Sequence, residues 1–200
     1  MQKRIWPAVC LGGALLMLTA CAPFATRQAS QNSQNFDLGS SAPMPLTARP
    51  WRFQVEAGGE LEMSAMRYRL AYADPAQVMA YAQSRWVAPP ADILRRRLED
   101  LLYWQTATIP DQCVLQLELR RFEQVFVSPQ ESRGVLTARA VLRRGGKNVD
   151  ERLLTLEAAA PTPDAQGGVA ALAAAADALA QSLLDWRTTR SGAQSGGCRD

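Results

Sequence analysis

Apolar side chains alternate with polar ones over two stretches in the first half of the chain. Trp51, Phe53 and Val55 alternate with Arg52 and Gln54, and Met66, Tyr68, Leu70 and Tyr72 with Arg67 and Arg69. A period of two is that of a strand with one buried face. Gly58-Gly59 predicts a turn between the runs, and Asp74-Pro75 a turn after the second. Phe36-Asp37-Leu38-Gly39 predicts a short strand before them, and residues 77–87 (QVMAYAQSRWV) a less regular strand after them.

The period then changes. Pro89-Pro90 ends the strand and opens a helix, because proline is tolerated in a first helical turn. Ile93, Leu94, Leu98, Leu101 and Leu102 form its apolar stripe, joined by Tyr103, while Arg95, Arg96, Arg97, Glu99 and Asp100 are expected to face water. Cys113 to Val127 predicts the longest strand. Leu115, Leu117 and Leu119 share one parity and Phe122 and Phe126 the other, so a bulge is expected near Arg120-Arg121. Gly145-Gly146 joins Val135–Leu142 to Val149–Leu156 as a hairpin. The alanine-rich run Gly168–Trp186 predicts a closing helix whose larger apolar residues, among them Val169, Leu172, Leu179, Leu183 and Trp186, mark one face. Strands, helix, strands, helix is an α+β order: a single domain with a mostly antiparallel sheet and two helices packed on one face.

The N-terminus changes the setting. Lys3 and Arg4, an apolar stretch from Ile5 to Leu18, and Leu18-Thr19-Ala20-Cys21 have the anatomy of a bacterial lipoprotein signal. The apolar stretch is shorter than the ~20 residues of a membrane-spanning helix. Residues 1–20 are therefore expected to be removed and Cys21 to carry the lipid. The alternative is a plain secretory signal that leaves Cys21 an ordinary thiol. Residues 21–35 are polar and small and predict a flexible tether; residues 36–188 predict the domain, and 189–200 a polar tail.

Charge and cysteine content narrow the function classes. The +3 of the whole chain falls to +1 once Lys3 and Arg4 leave with the signal, too little to suggest nucleic acid. The sequence contains no histidine, which removes Ser-His-Asp and Cys-His nucleophiles and the commonest metal ligand. With Cys21 acylated, Cys113 and Cys198 remain, and an oxidising compartment favours a disulfide between them over two unpaired thiols. The glycine pairs lack phosphate-loop spacing, and the carboxylates form no local acid–base pair. No catalytic residue, metal site or cofactor is expected. One cluster invites a binding role: Arg67, Tyr68 and Arg69, with Arg85 and Trp86 further on, interleave arginines with aromatics. The plainer reading of the same spacing is a strand with aromatics in the core and arginines in solvent.

Taken in order, the Leu18–Cys21 box, Phe36-Asp37-Leu38-Gly39, Met66-Arg67-Tyr68-Arg69, Arg85-Trp86 with Pro89-Pro90 and a leucine-rich helix, Leu117-Glu118-Leu119 with Phe122-Glu123-Gln124, and the alanine-rich helix ending at Trp186 form a pattern. It resembles the ABC-type transport auxiliary lipoprotein family, which includes PqiC-like proteins, over residues 14–187. The resemblance implies a non-enzymatic lipoprotein on the periplasmic face of the outer membrane. It would be anchored by its N-terminal lipid, with an MCE-domain periplasmic protein of an ABC transporter as partner, a homo-oligomer as a candidate assembly, and phospholipid or another hydrophobic molecule as cargo. Phe36 stands where relatives often carry Tyr. The alternative is a carrier that itself holds an acyl chain between sheet and helices.

Overall fold

The computed structural model describes residues 33–45, 52–102 and 113–191. The signal, Cys21, nearly all of the tether, Trp51, Tyr103 and Cys198 lie outside these residues. In chain order the elements are β1 (Gln34–Phe36), β2 (Arg52–Ala57), a 3-10 turn (Gly59–Glu62), β3 (Ala65–Leu70), β4 (Met79–Trp86), α1 (Pro90–Leu101), β5 (Cys113–Phe126), β6 (Ser132–Arg144), β7 (Lys147–Ala159) and α2 (Ala165–Ser191). All described residues belong to one compact unit.

The seven strands form one sheet in the order β1-β4-β3-β5-β6-β7, with β2 also paired to β5. The long ladders β5–β6 and β6–β7 are antiparallel, as is β3–β4. The sheet is nevertheless mixed, since β1–β4, β2–β5 and β3–β5 run parallel. β6 occupies one edge of β5 along its whole length. β2 and β3 share the other edge, each parallel to β5.

The expected bulge is present: the β5–β6 register shifts between Leu119 and Arg121. The extra residue brings Leu115, Leu117 and Leu119 onto the same face as Phe122, and all four are at most 2% exposed. The hairpin strands are longer than the apolar pattern indicates, running to Arg144 and from Lys147. Gly145 and Gly146 supply positive φ angles of 53° and 82°, as a two-residue hairpin turn requires.

Both helices contribute to one core with the sheet. In α1, Ile93, Leu94, Leu98 and Leu101 are buried as the stripe predicts, and Arg95 pairs with Glu99 one turn on at 2.8 Å. Arg97 departs from the expected solvated face. It is 7% exposed, grips Asp177 of α2 with two bonds of 2.8 and 2.9 Å, and donates to the Leu38 and Gly39 carbonyls at 2.9 and 3.0 Å. A guanidinium in this position joins both helices to the segment after β1, which no local spacing could reveal.

α2 starts three residues earlier than expected because Asp164 caps it, accepting the Gly167 N–H at 2.8 Å. Its composition and length would suit a membrane span. Here Leu172, Ala175, Ala176, Leu179 and Ala180 are fully or nearly fully buried, which makes it the core helix of the domain. The alanines let the helix lie close to the sheet: a Cβ added at Gly134 of β6 would stand 2.6 Å from the Leu172 backbone nitrogen. At the far end Trp186 donates from Nε1 to Asp150 at 3.0 Å, and the Arg152 guanidinium lies 4.8 Å from its ring centre.

Cys113 is buried and disulfide-bonded, with its partner outside the described residues.

The helix–sheet contact yields a direct test. Gly134→Ala forces a methyl group into the backbone of α2 and is expected to destabilise the domain by about 1–3 kcal/mol. The check is a lower melting temperature by circular dichroism, with no loss of helix content below the transition.

Candidate functional site

β2 pairs with β5 as far as Leu119, and β3 takes up the same edge only at Gln124. Along residues 120–123, neither strand bonds to β5 on that side. The gap coincides with the bulge, and the chain between β2 and β3 leaves the sheet here as the 3-10 turn. A cavity of about 370 Å³ lies at this break. Arg67 and Arg69 of β3 line it together with Glu118, Arg120, Arg121 and Glu123 of β5. Gly58, Leu61 and Val78 add uncharged wall.

The central carboxylate is Glu123, only 4% exposed. Arg69 meets it with two parallel bonds, Nε to Oε1 at 3.1 Å and Nη2 to Oε2 at 3.2 Å, and spends Nη1 on the Pro75 carbonyl at 2.6 Å. Arg121 approaches the same carboxylate through Nε and Nη2. Arg120 forks onto Glu118 at 3.2 Å through the same two nitrogens. Hydrogen bonds from Arg120 hold the Glu118 carboxyl below the usual carboxylate range, with Arg139 adding to the effect. The pairing continues across the open face of the sheet, from Arg139 to Glu151 and from Arg133 to Glu157.

The sequence-predicted residues separate into three environments. Arg67 and Arg69 reach the cavity together, whereas Tyr68 points to the helix side. There it packs on Tyr81 with ring centres 4.6 Å apart and planes inclined by 40°, and meets Phe126 edge-on at 6.0 Å. Tyr81 donates to Gln124 at 2.8 Å, and Gln124 donates to Ser132 at 2.7 Å. Burial pushes the Tyr81 hydroxyl far above its ordinary range, so it remains a donor. Trp86 is 2% exposed and packs on Phe122 with ring centres 5.3 Å apart, so it serves the core and offers a partner no surface. Arg85, one residue earlier, is exposed. The interleaved cluster therefore follows strand parity: Arg67 and Arg69 gather at the cavity without the aromatics, and Arg85 stands apart from it.

Glu123 and Arg121 escaped the sequence reading. Glu123 shares a cavity with Arg69, which precedes it by 54 positions, and its burial follows from that pairing. A usable signal was present: the bulge that realigns the apolar set also turns Arg121 and Glu123 to the same open face.

No family model matches this sequence, and no curated protein matches it. Solved structures do. Protein XCC0632 from Xanthomonas campestris, of the DUF330 family, aligns with a TM-score of 0.63 at 19% identity, covering 76% of this chain and 94% of that one. The two share a fold. A second crystal structure, of an uncharacterised protein, aligns with a TM-score of 0.60 at 16% identity, covering 78% of this chain and 98% of that one. The α+β architecture is thus a recurring one, and the matches span nearly the full length of both neighbours.

Arg69→Ala leaves Glu123 buried with Arg121 as its remaining cation. A loss of about 2 kcal/mol is expected, the usual scale for hydrogen bonds to a charged group. Arg69→Ala combined with Glu123→Ala should cost less than the two single changes summed. Urea denaturation of the four proteins of the cycle measures this, and strict additivity would show the pair to be uncoupled.

Proposed function

We propose that this chain is an outer-membrane-anchored periplasmic lipoprotein that serves as a docking component of an MCE-type ABC transport system for phospholipids or other hydrophobic molecules. The observation that carries the reading is a lipoprotein box at Leu18–Cys21 ahead of a domain with the fold of the DUF330 structure. The ordered pattern of motifs that resembles the transport auxiliary lipoproteins supports it. The small, polar composition between Cys21 and β1 supports a tether on which the domain stands about 20 Å from the bilayer, by the ~5–6 Å × √n of such chains, within reach of a periplasmic assembly. Ala22 after the acylated cysteine agrees with outer-membrane sorting.

The fold favours docking over carriage. A carrier needs room between sheet and helices for an acyl chain, and the close approach of α2 to Gly134 fills that part of the interface with backbone. The surface offered to a partner is β4 with the segments that follow β3 and β4, where Arg85, Tyr72 and Val87 are exposed. Arg67 and Arg69 make less suitable mutational probes of docking. Arg69→Glu sets a second carboxylate against buried Glu123 and would weaken the fold itself.

Cys21→Ser removes the acylation site, so the protein should move from the membrane fraction to the soluble periplasmic fraction with its circular dichroism unchanged. Retention on the membrane would contradict lipid anchoring. Arg85→Glu lies outside the buried pairs and should leave stability unchanged to within ~0.5 kcal/mol while reducing co-purification of an MCE-domain partner. Undiminished co-purification would remove Arg85 from the interface.

A further inference from the structure

We propose that the cavity at the β5 bulge is an anion site that takes a phosphate group, either free or carried in the headgroup of an amphiphile. The cavity sets four guanidinium groups, of Arg67, Arg69, Arg120 and Arg121, against the two carboxylates of Glu118 and Glu123. The cavity holds about 370 Å³, near the lower end of the ~300–1,000 Å³ usual for ligand sites, and arginines outnumber carboxylates along its described lining. Elsewhere on the same face Arg133 pairs with Glu157, and Arg139 bridges Glu151 to Glu118 at the cavity's border.

The donors also point to phosphate. Arg120 and Arg121 each spend Nε and Nη2 on a carboxylate. Among the described residues neither donates its Nη1 to the protein, so each fork retains a donor while its plane is fixed. Glu123, buried and shared between Arg69 and Arg121, holds these two guanidinium groups in place before any ligand arrives. Arginines reach the cavity from two different strands, β3 and β5, so its donors come from more than one direction. A tetrahedral phosphate presents oxygens to several forks at once, whereas a planar carboxylate presents two. Among the described residues no strand pairs with this edge of β5 at residues 120–123, and the cavity lies open between the ends of β2 and β3. Leu61 and Val78 supply an apolar wall against which the carbon skeleton of a headgroup can lie. The site rests on the cavity alone and stands whether or not the chain serves a transporter.

The test is isothermal titration of the acylated full-length protein in dodecyl maltoside micelles. One probe is inorganic phosphate and the other glycerophosphoglycerol, the deacylated headgroup of a phospholipid. Saturable one-to-one binding that weakens with added salt is expected for at least one probe. Saturation by both, or by phosphate alone, identifies the phosphate group itself as the ligand; saturation by glycerophosphoglycerol alone identifies a headgroup. Arg120→Gln should weaken binding about tenfold, whereas Arg133→Gln, equally exposed but outside the cavity, should change it less than about twofold. Glu118→Gln removes one of the two competing carboxylates and should tighten binding severalfold, a gain that a poorly folded variant cannot imitate. Failure of both probes to saturate at about ten millimolar, well above the ~1 mM of a weak but specific ligand, would overturn the proposal. Equal losses in Arg120→Gln and Arg133→Gln, or an unchanged affinity in Glu118→Gln, would also overturn it.

Discussion

Everything in this domain is built outward from β5, a strand that must serve partners on both edges and present one continuous apolar face. β6 takes one edge from Cys113 to Phe126, while β2 and β3 divide the other. The extra residue between Leu119 and Arg121 reconciles these demands. Without it, Phe122 would turn to the open face and leave Trp86 without its stacking partner in the core. The same residue enforces the change of neighbour from β2 to β3, so the break in the edge, the gathering of arginines and the burial of Glu123 have one geometric origin.

The helical layer depends on a second, smaller set of constraints. Alanine at 171, 175, 176 and 180 keeps α2 thin on its sheet side, and Gly134 gives it room to settle. Arg97 then ties α1 to α2 and to the segment after β1 through four hydrogen bonds. A buried guanidinium held by four hydrogen bonds is costly to orphan, so it specifies how the helices pack as well as stabilising them. A domain closed by such short-range contacts on one face leaves the open face of the sheet and its edges to meet other molecules.

Much of this was legible in the sequence, because periodicity reports burial directly. The later strands and both helices exist, the bulge lies where the leucine and phenylalanine parities disagree, and Gly145-Gly146 turns the hairpin. The first strand instead occupies Gln34–Phe36 and ends where Phe36-Asp37-Leu38-Gly39 predicts its start. The parallel pairings were not legible: whether β2 joins β5 from the same or the opposite direction depends on residues 62 positions apart, Arg52 and Val114 among them. Nor was the fate of individual arginines. Arg95, Arg96 and Arg97 are identical in type and adjacent in sequence, yet only Arg97 is buried, because only it faces Asp177. Strand parity placed Arg67 and Arg69 together and apart from Tyr68, but the partner that buries Arg69 comes from another strand. The candidate site was therefore half visible, as a row of arginines without the carboxylates that organise it.

A domain with a filled core and a charged open face is suited to meeting other molecules. Its function then depends on which molecule it meets. The most direct measurement is to purify the acylated protein from its own membranes in mild detergent and identify by mass spectrometry what accompanies it. An MCE-domain protein in stoichiometric amount is the predicted result. The lipoprotein accompanied only by non-covalently bound lipid would contradict the docking role and point to a carrier instead.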